Sequence, residues 1–492
     1  RWHENRGSID PAVDLRVVDQ RRASERSGID EGVPPATDPH PFRRPQWTLD
    51  RSKCPHRDSR SNRRGCTPRL CFFAGFLYSF PSIAPAPSPI QTLNRGSMFR
   101  EVVITGLGRV GPQGPGRAIL ARALRECTPV PTRRFTTSPP LRDGRTTGET
   151  VDFAGWVEQI EPFGKIKTRN RSSLDPVGRT ESLAREAARL ARREAGLSEE
   201  NVGGSLWIAS SLGFPSSRLA QGDVGNQETW HRWLAATGTL KIGGTVSLRE
   251  VSGLVALAEA ASAIHEGRTD RAIVIEVDSV TPKILRVHRR LRALASGVGG
   301  SAPVARPFDR FRRGAVLAEG ATAIVLEREC VALDRQARPR SRVGAEFRTF
   351  DSSASPYGFG TGARALGAEL GIRLRADGID PRTIDGIISG ARGSIEGDAQ
   401  EANWIEALYE DKPHPPVFAP IGTTGLGGGG LLAAACLAAE GTPLCGSAGF
   451  LERDPKMTVR PHPSAVSPTP GRILLSTIAS GGQAAWILFD AR

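Results

Sequence analysis

Apolar and polar positions fall into two regimes along the chain. Residues 1–97 show no sustained period of a strand or a helix. Stretches such as RRASERSGIDEGVPPATDPHPFRRPQ and SIAPAPSPIQT mix charge, proline and small residues. They carry too little apolar surface to offset the entropy of ordering. One patch differs. LCFFAGFLYSF (70–80) follows RRGCTPR and precedes APAP, the order of basic flank, short apolar run and small residues seen in secretory signals. It is internal, and the first methionine is Met98. Residues 1–97 are therefore expected to be a disordered leader or an over-extended reading frame. The signal reading requires translation to begin shortly before residue 60.

From Met98 onward, strand-like and helix-like periods alternate. REVVITGLGRVG (100–111) predicts a strand and a glycine turn. AILARALREC (118–127) has the 3.6-residue apolar period of a helix, and RTESLAREAARLARREAGL (179–197) predicts a longer one stopped at Gly196. SLWIASSLG (205–213) predicts a buried strand. SGLVALAEAASAIHEG (252–267) predicts a largely apolar helix closed by Gly267. RAIVIEVDS (271–279) and ATAIVLE (321–327) have few polar positions, as in strands covered on both faces. Beyond residue 340 the style repeats: helix GTGARALGAELGIRLRADG, strand DGIISG, helix DAQEANWIEAL, a glycine-rich turn, helix LLAAACLAAEG, and paired strands RILLSTIAS and QAAWILFD. Strands alternating with helices predict an α/β architecture.

Composition narrows the function classes. The 492-residue chain is 39% apolar and 24% charged, a globular balance for one large domain or a few smaller ones. It has no run of about eighteen apolar residues, so no membrane-spanning helix and no membrane partner are expected. The formal charge of +14 suggests an anionic partner. However, the excess is arginine spread along the chain, without helix-turn-helix, RNA-recognition or zinc-finger spacing. No nucleic-acid partner is expected. Cys54, Cys66, Cys71, Cys127, Cys330, Cys436 and Cys445 show neither metal spacing nor a dense disulfide framework. Free thiols in a reducing cytoplasm, without a bound metal, are the expectation.

GLGRVG (106–111) matches G-x-G-x-x-G after a strand. A dinucleotide site needs those glycines to open a helix, and a second strand ending in an acid about twenty residues on. Pro112 and Gly114 interrupt such a helix, and CTPVPTRRFTT does not read as a strand. The motif therefore reads as a tight turn after the first strand.

Five blocks carry a more specific pattern. They are REVVITGLGRVGPQG (100–114), RPFDRFRRGAVLAEGATAIVLE (306–327), DGIISGARGSIEGDAQEANWIEAL (385–408), APIGTTGLGGGGLLAAACLA (419–438) and STIASGGQAAWILF (476–489). In this order they resemble the β-ketoacyl-acyl-carrier-protein synthases, condensing enzymes of the thiolase-fold superfamily. The matching family features are the opening strand, the Arg-Pro-Phe-Asp signature, the first-histidine segment, the Gly-His loop with its helix, and the C-terminal Gly-Gly turn. The resemblance covers residues 98–492.

The departures fall on the chemistry. The family's nucleophilic cysteine lies two residues before a Ser-Gly that starts a buried helix. Against Ser252-Gly253, in TVSLREVSGLVAL (245–257), that position is Glu250. The first catalytic histidine lies eight residues before an Asp; counting back from Asp398 gives Gly390. The second histidine follows a Thr-Gly, and Leu426 follows Thr424-Gly425. The family lysine falls on Ile421. The phenylalanine before the C-terminal Gly481-Gly482 falls on Ser480. Condensation needs a thiolate, favoured by a helix N-terminus, and donors for the thioester oxygen as the enolate forms. A carboxylate is a weaker nucleophile, and glycine and leucine side chains donate nothing.

The resemblance implies a thiolase-like α/β fold of two pseudo-equivalent halves, 98–329 and 340–492, in five αβαβα layers. It implies no cofactor. It implies acyl carrier protein as a partner, and a homodimer or a heterodimer with an active ketosynthase. Asp398, Glu401, Gly481 and Gly482 are expected to organise loops, and Arg392 and Ser480 are candidate ligand contacts. Arg249 either pairs with Glu250 or faces away. The expected function is a catalytically degenerate, chain-length-factor-like partner in fatty-acid or polyketide assembly. The alternative is an active acyltransferase or decarboxylase with altered chemistry around Glu250.

Overall fold

The computed structural model describes residues 101–137, 150–158, 176–198, 203–214, 240–297, 301–410, 412–462, 465–466 and 471–492. The expectations for residues 1–97 lie outside the described residues. Strands β1 (Val102–Gly111), β2 (Ser205–Ala209), β3 (Lys241–Val246), β4 (Arg271–Asp278) and β5 (Gly320–Arg328) come from the first half of the core. Strands β6 (Ser341–Phe350), β7 (Gly386–Ile388), β8 (Val417–Phe418), β9 (Arg472–Ile478) and β10 (Gln483–Ala491) come from the second. The spatial order is β8-β7-β9-β10-β6-β1-β5-β4-β2-β3. Each half thus runs third, second, fourth, fifth, first, with the same parallel and antiparallel pairs. The halves meet where β1 pairs antiparallel with β6, Val102 opposite Val343.

The longer helices are α1 (Arg117–Arg125), α2 (Pro176–Glu194), α3 (Ser252–His265), α4 (Pro282–Arg290), α5 (Ala363–Ala376), α6 (Ile395–Leu408) and α7 (Gly430–Ala439). Helices α3 and α7 touch strands of both halves. They are apolar on nearly every face, including Leu254, Leu257, Ile264, Leu432, Cys436 and Leu437, and a helix of that kind must be buried. Helix α2 covers the other face of the first half, while α5 and α6 pair on the outer face of the second. The result is the five-layered αβαβα arrangement of two equivalent halves that was expected.

Four sequence expectations need correction. GLGRVG is not a turn, because β1 continues through Gly111 and the turn follows it. A Cβ on Gly106 would lie 2.2 Å from the Ala191 carbonyl oxygen, and one on Gly108 1.9 Å from that of Ala187. Those glycines let α2 lie directly on the strand. CTPVPTRRFTT does contain a strand, Thr132–Thr137, in a hairpin with Thr150–Gly155; its run of threonines and arginines lacks an apolar alternation. Strand β6 and helix α4 were not anticipated, because SRVGAEFRTF and PKILRVHRR are too polar to show a buried face.

The cysteines give the fourth correction. Cys127 and Cys445, 318 residues apart, form a disulfide with Cα atoms 5.4 Å apart. Among the described residues only Cys330 and Cys436 are free. The bond joins the segment after α1 to the segment after α7, beside a backbone bond of 3.0 Å from Cys445 N to Leu124 O. No local spacing announces a pair so distant in sequence. Removing such a cross-link costs about 2–4 kcal/mol. Cys127→Ser should therefore melt below the oxidised parent and at the same temperature as the fully reduced parent. Equal melting of the variant and the oxidised parent would contradict the cross-link.

Candidate functional site

Strand β3 passes into α3 through a tight turn, Arg249–Val251, with Arg249 at φ 57°. Ser252 clips this turn: its hydroxyl accepts from Leu248 N at 2.8 Å and donates to Ser210 O at 2.9 Å. The two charged side chains of the turn diverge. Arg249 donates to Ser480 O at 2.8 Å and to Ser480 Oγ at 3.1 Å, and its guanidinium lies 5.3 Å from the Tyr357 ring. Glu250 turns inward and forms an ion pair with Arg392. Arg249 thus faces away from Glu250. The start of α3 favours a negative charge there, and Arg392 supplies the counter-charge for this partly buried carboxylate.

Buried carboxylates build the loop that aims Arg392. Asp398 accepts backbone N–H bonds from Arg392 at 2.8 Å, Phe308 at 2.9 Å and Gly393 at 3.1 Å. Burial pushes Asp398 up to about 6. Glu401 accepts from Ser389 Oγ at 2.9 Å, Trp404 Nε1 at 3.0 Å, Ser476 Oγ at 2.8 Å and Ile478 N at 2.8 Å. Gly390, at the base of the same loop, touches β9. A Cβ there would lie 2.5 Å from Thr477 Oγ1 and 2.9 Å from Thr477 Cα, so no larger side chain fits without movement.

Leu426 is held through its backbone, donating to Val316 O at 2.8 Å and accepting from Ala318 N at 2.9 Å. Gly481 and Gly482, at φ 95° and 96°, turn the chain beside Ser480. Glu250, Leu426, Arg392 and Ser480 all line an outer cleft of about 370 Å³, with Tyr357, Phe359 and Arg313. Glu250 and Leu426 also border an inner space of about 20 Å³, with Ser211, Glu276 and Thr477. The structure therefore gathers the positions singled out from sequence, with Gly390 packed on the wall residue Thr477.

Three functional-site neighbours were missed: Arg109, Glu276 and Asp278. Each is a charge inside an apolar strand, in VVITGLGRVG or RAIVIEVD, and that mismatch was the available signal. Asp278 accepts from Ser210 Oγ at 2.6 Å, Leu212 N at 2.8 Å and Gly428 N at 2.7 Å. Arg109 donates to the Gly428 carbonyl and to Thr322 Oγ1. Glu276 accepts from Ser211 Oγ at 2.6 Å. Burial, with the charge of Asp278 adding, pushes Glu276 up to about 8. Burial lowers Arg109 to about 10, which leaves it charged at neutral pH.

This network grips the glycine run before α7. Gly427, Gly428 and Gly429 all have positive φ, and a Cβ on Gly428 would lie 2.7 Å from Gly320 Cα. The run is a close backbone contact rather than slack.

Residues 99–332 match the family model described as β-ketoacyl synthase, N-terminal domain. The actinorhodin polyketide putative β-ketoacyl synthase 1 of Streptomyces coelicolor is 29% identical over 431 residues, 80% of this chain and 89% of that protein. The tetracenomycin polyketide synthase ketoacyl synthase alpha subunit of Streptomyces glaucescens is 27% identical, over 73% of this chain and 89% of that protein. Among solved structures, the ishigamide ketosynthase/chain length factor is 24% identical with a TM-score of 0.65, covering 80% of this chain and 100% of that one. A type II polyketide ketosynthase bound to its acyl-carrier protein is 19% identical with a TM-score of 0.64, over the same shares. These structures show a ketosynthase fold of the thiolase-like kind.

Glu276 gives the site a pH signature. Its folded value lies above the ordinary carboxylate value of 4.5, so the unfolded chain loses this proton first as pH rises. Its contribution to stability therefore falls with rising pH between about 4.5 and about 8, by at most about 1.4 kcal/mol per unit. Urea unfolding across that window should show Glu276→Gln gaining on the parent as pH rises. A constant difference between the two proteins would contradict a neutral, buried Glu276.

Proposed function

We propose that the chain is a member of the β-ketoacyl synthase family, whose N-terminal-domain model matches residues 99–332, and that it is a catalytically degenerate subunit of polyketide assembly. It acts beside an active ketosynthase, as a chain-length factor does. The observation that carries this reading is the Glu250–Arg392 ion pair at the turn where the family places its nucleophile. A carboxylate tied to a guanidinium is a poor nucleophile, and its acyl derivative would be a hydrolysable anhydride. The two positions that should donate to a thioester oxygen hold Gly390, packed against Thr477, and the apolar Leu426. The space behind Glu250, about 20 Å³, is the size of roughly one water molecule; an acyl chain does not fit. Acyl transfer through Glu250 would need that carboxylate released, which makes it the weaker reading.

Partnership is the function that such a subunit retains. Among the described residues strand β3 ends the sheet, and its first three residues are exposed, an edge on which another chain's strand can pair. The relatives with printed pathways are polyketide proteins, which favours polyketide over fatty-acid assembly. Acyl carrier protein and an intact ketosynthase are the partners proposed.

Co-expression of the full chain with a type II polyketide ketosynthase and its carrier protein tests the reading. The chain should co-purify with the synthase, and omitting it should change product length or abolish product. A chain that binds neither protein and leaves the product unchanged would overturn the proposal.

A further inference from the structure

Arg392 is set in place by groups other than its ion-pair partner. Its backbone N–H is held by Asp398 at 2.8 Å, its Nη2 donates to the Ile478 carbonyl, and its guanidinium lies 5.4 Å from the Phe359 ring. The residue is only 3% exposed, and its Nε has no hydrogen-bond partner among the described residues. A guanidinium held in this way presents a planar fork, the geometry that suits a planar carboxylate.

Glu250 comes to that fork from a different element, a three-residue turn ahead of α3. One carboxylate oxygen meets Arg392, and the other, Oε2, is buried without a hydrogen-bond partner among the described residues. The carboxylate is thus half satisfied, while the guanidinium is held from behind through Nη2 alone, with Nε and Nη1 without a hydrogen-bond partner among the described residues. The outer cleft in front of them, about 370 Å³, is also lined by Arg292, Arg313, His288 and Glu396. With Glu250 in place its arginines exceed its carboxylates by one (Arg292, Arg313 and Arg392 against Glu250 and Glu396); without Glu250 the excess is two.

We propose that this cleft is a binding site for a small carboxylate-bearing ligand, centred on Arg392, and that Glu250 is its intramolecular occupant. The ligand carboxylate takes the place of the Glu250 carboxylate on the guanidinium, with no bond made or broken. Glu250 then acts as a built-in competitor that weakens binding to the parent protein. The resident group is a carboxylate, so the site is assigned to carboxylates over phosphates. The inference is independent of whether the chain partners a synthase.

Chemical rescue tests it on the full chain. Glu250→Ala leaves Arg392 buried and unpaired, so its melting temperature should fall. Formate or acetate, compared with chloride at equal ionic strength, should restore it saturably. Acetate should bind the variant at least about tenfold more tightly than the parent, a difference of about 1.4 kcal/mol. Adding Arg392→Met should abolish the anion effect. Should Glu250→Ala fail to fold, Glu250→Gln keeps the side-chain shape, and acetate binding is read by calorimetry. Rescue absent in both variants, or persisting in the Arg392→Met double variant, would overturn the site. Phosphate stabilising as well as acetate would overturn its assignment to carboxylates.

Discussion

Two helices that are apolar on nearly every face, α3 and α7, must be hidden from water over most of their surface, and the rest of the molecule is arranged to do so. Each buried leucine or isoleucine on them contributes roughly 1.5–3 kcal/mol relative to exposure. Only a layer between two sheets removes all of that surface from solvent. Both helices begin beside the same region: α3 starts at Ser252, two residues after Glu250, and α7 starts at Gly430, four residues after Leu426. The site is where those starts converge. Its position follows from the apolar layer and does not depend on which side chains stand there.

That separation explains how the fold persists while the polar centre differs from the family pattern. The charges at the centre are grouped in sets, with Glu250 Oε2 left without a hydrogen-bond partner among the described residues. Glu250 is matched by Arg392, Asp278 by three donors including the glycine run, and Glu401 by four. Buried pairs of this kind add little net stability, but loss of one member is costly. They hold the molecule to one arrangement of its loops. Arg109 and Asp278, from the first half, both bond to Gly428 of the second, so the polar centre also sets the halves against each other.

Much of this was legible in the sequence. The 3.6-residue period of α1, the long helix α2, the largely apolar α3, the apolar runs of β4 and β5, and the five ordered blocks pointed to the layered fold. Counting from Ser252-Gly253, Asp398 and Gly425 led to Glu250 and Leu426, which line one cleft, and to Gly390, which packs against the neighbouring Thr477. What stayed hidden was long-range. The Arg392–Glu250 pair spans 142 positions and the Cys127–Cys445 bond 318, and no local period encodes either. Arg109 and Glu276 were visible as lone charges in apolar strands, but only the packing shows that they face inward. Gly106 and Gly108 imitated a nucleotide motif because a helix backbone and a phosphate make the same demand for an absent Cβ.

The central claim is that a chain with this fold has no acylatable centre of its own. Intact-mass spectrometry of the full chain, incubated alone with acyl- and malonyl-loaded carrier protein, measures that most directly. The expected result is an unmodified chain mass and carrier thioesters that keep their acyl and malonyl groups. An acyl adduct that maps to Glu250, or malonyl converted to acetyl on the carrier by this chain alone, would contradict it.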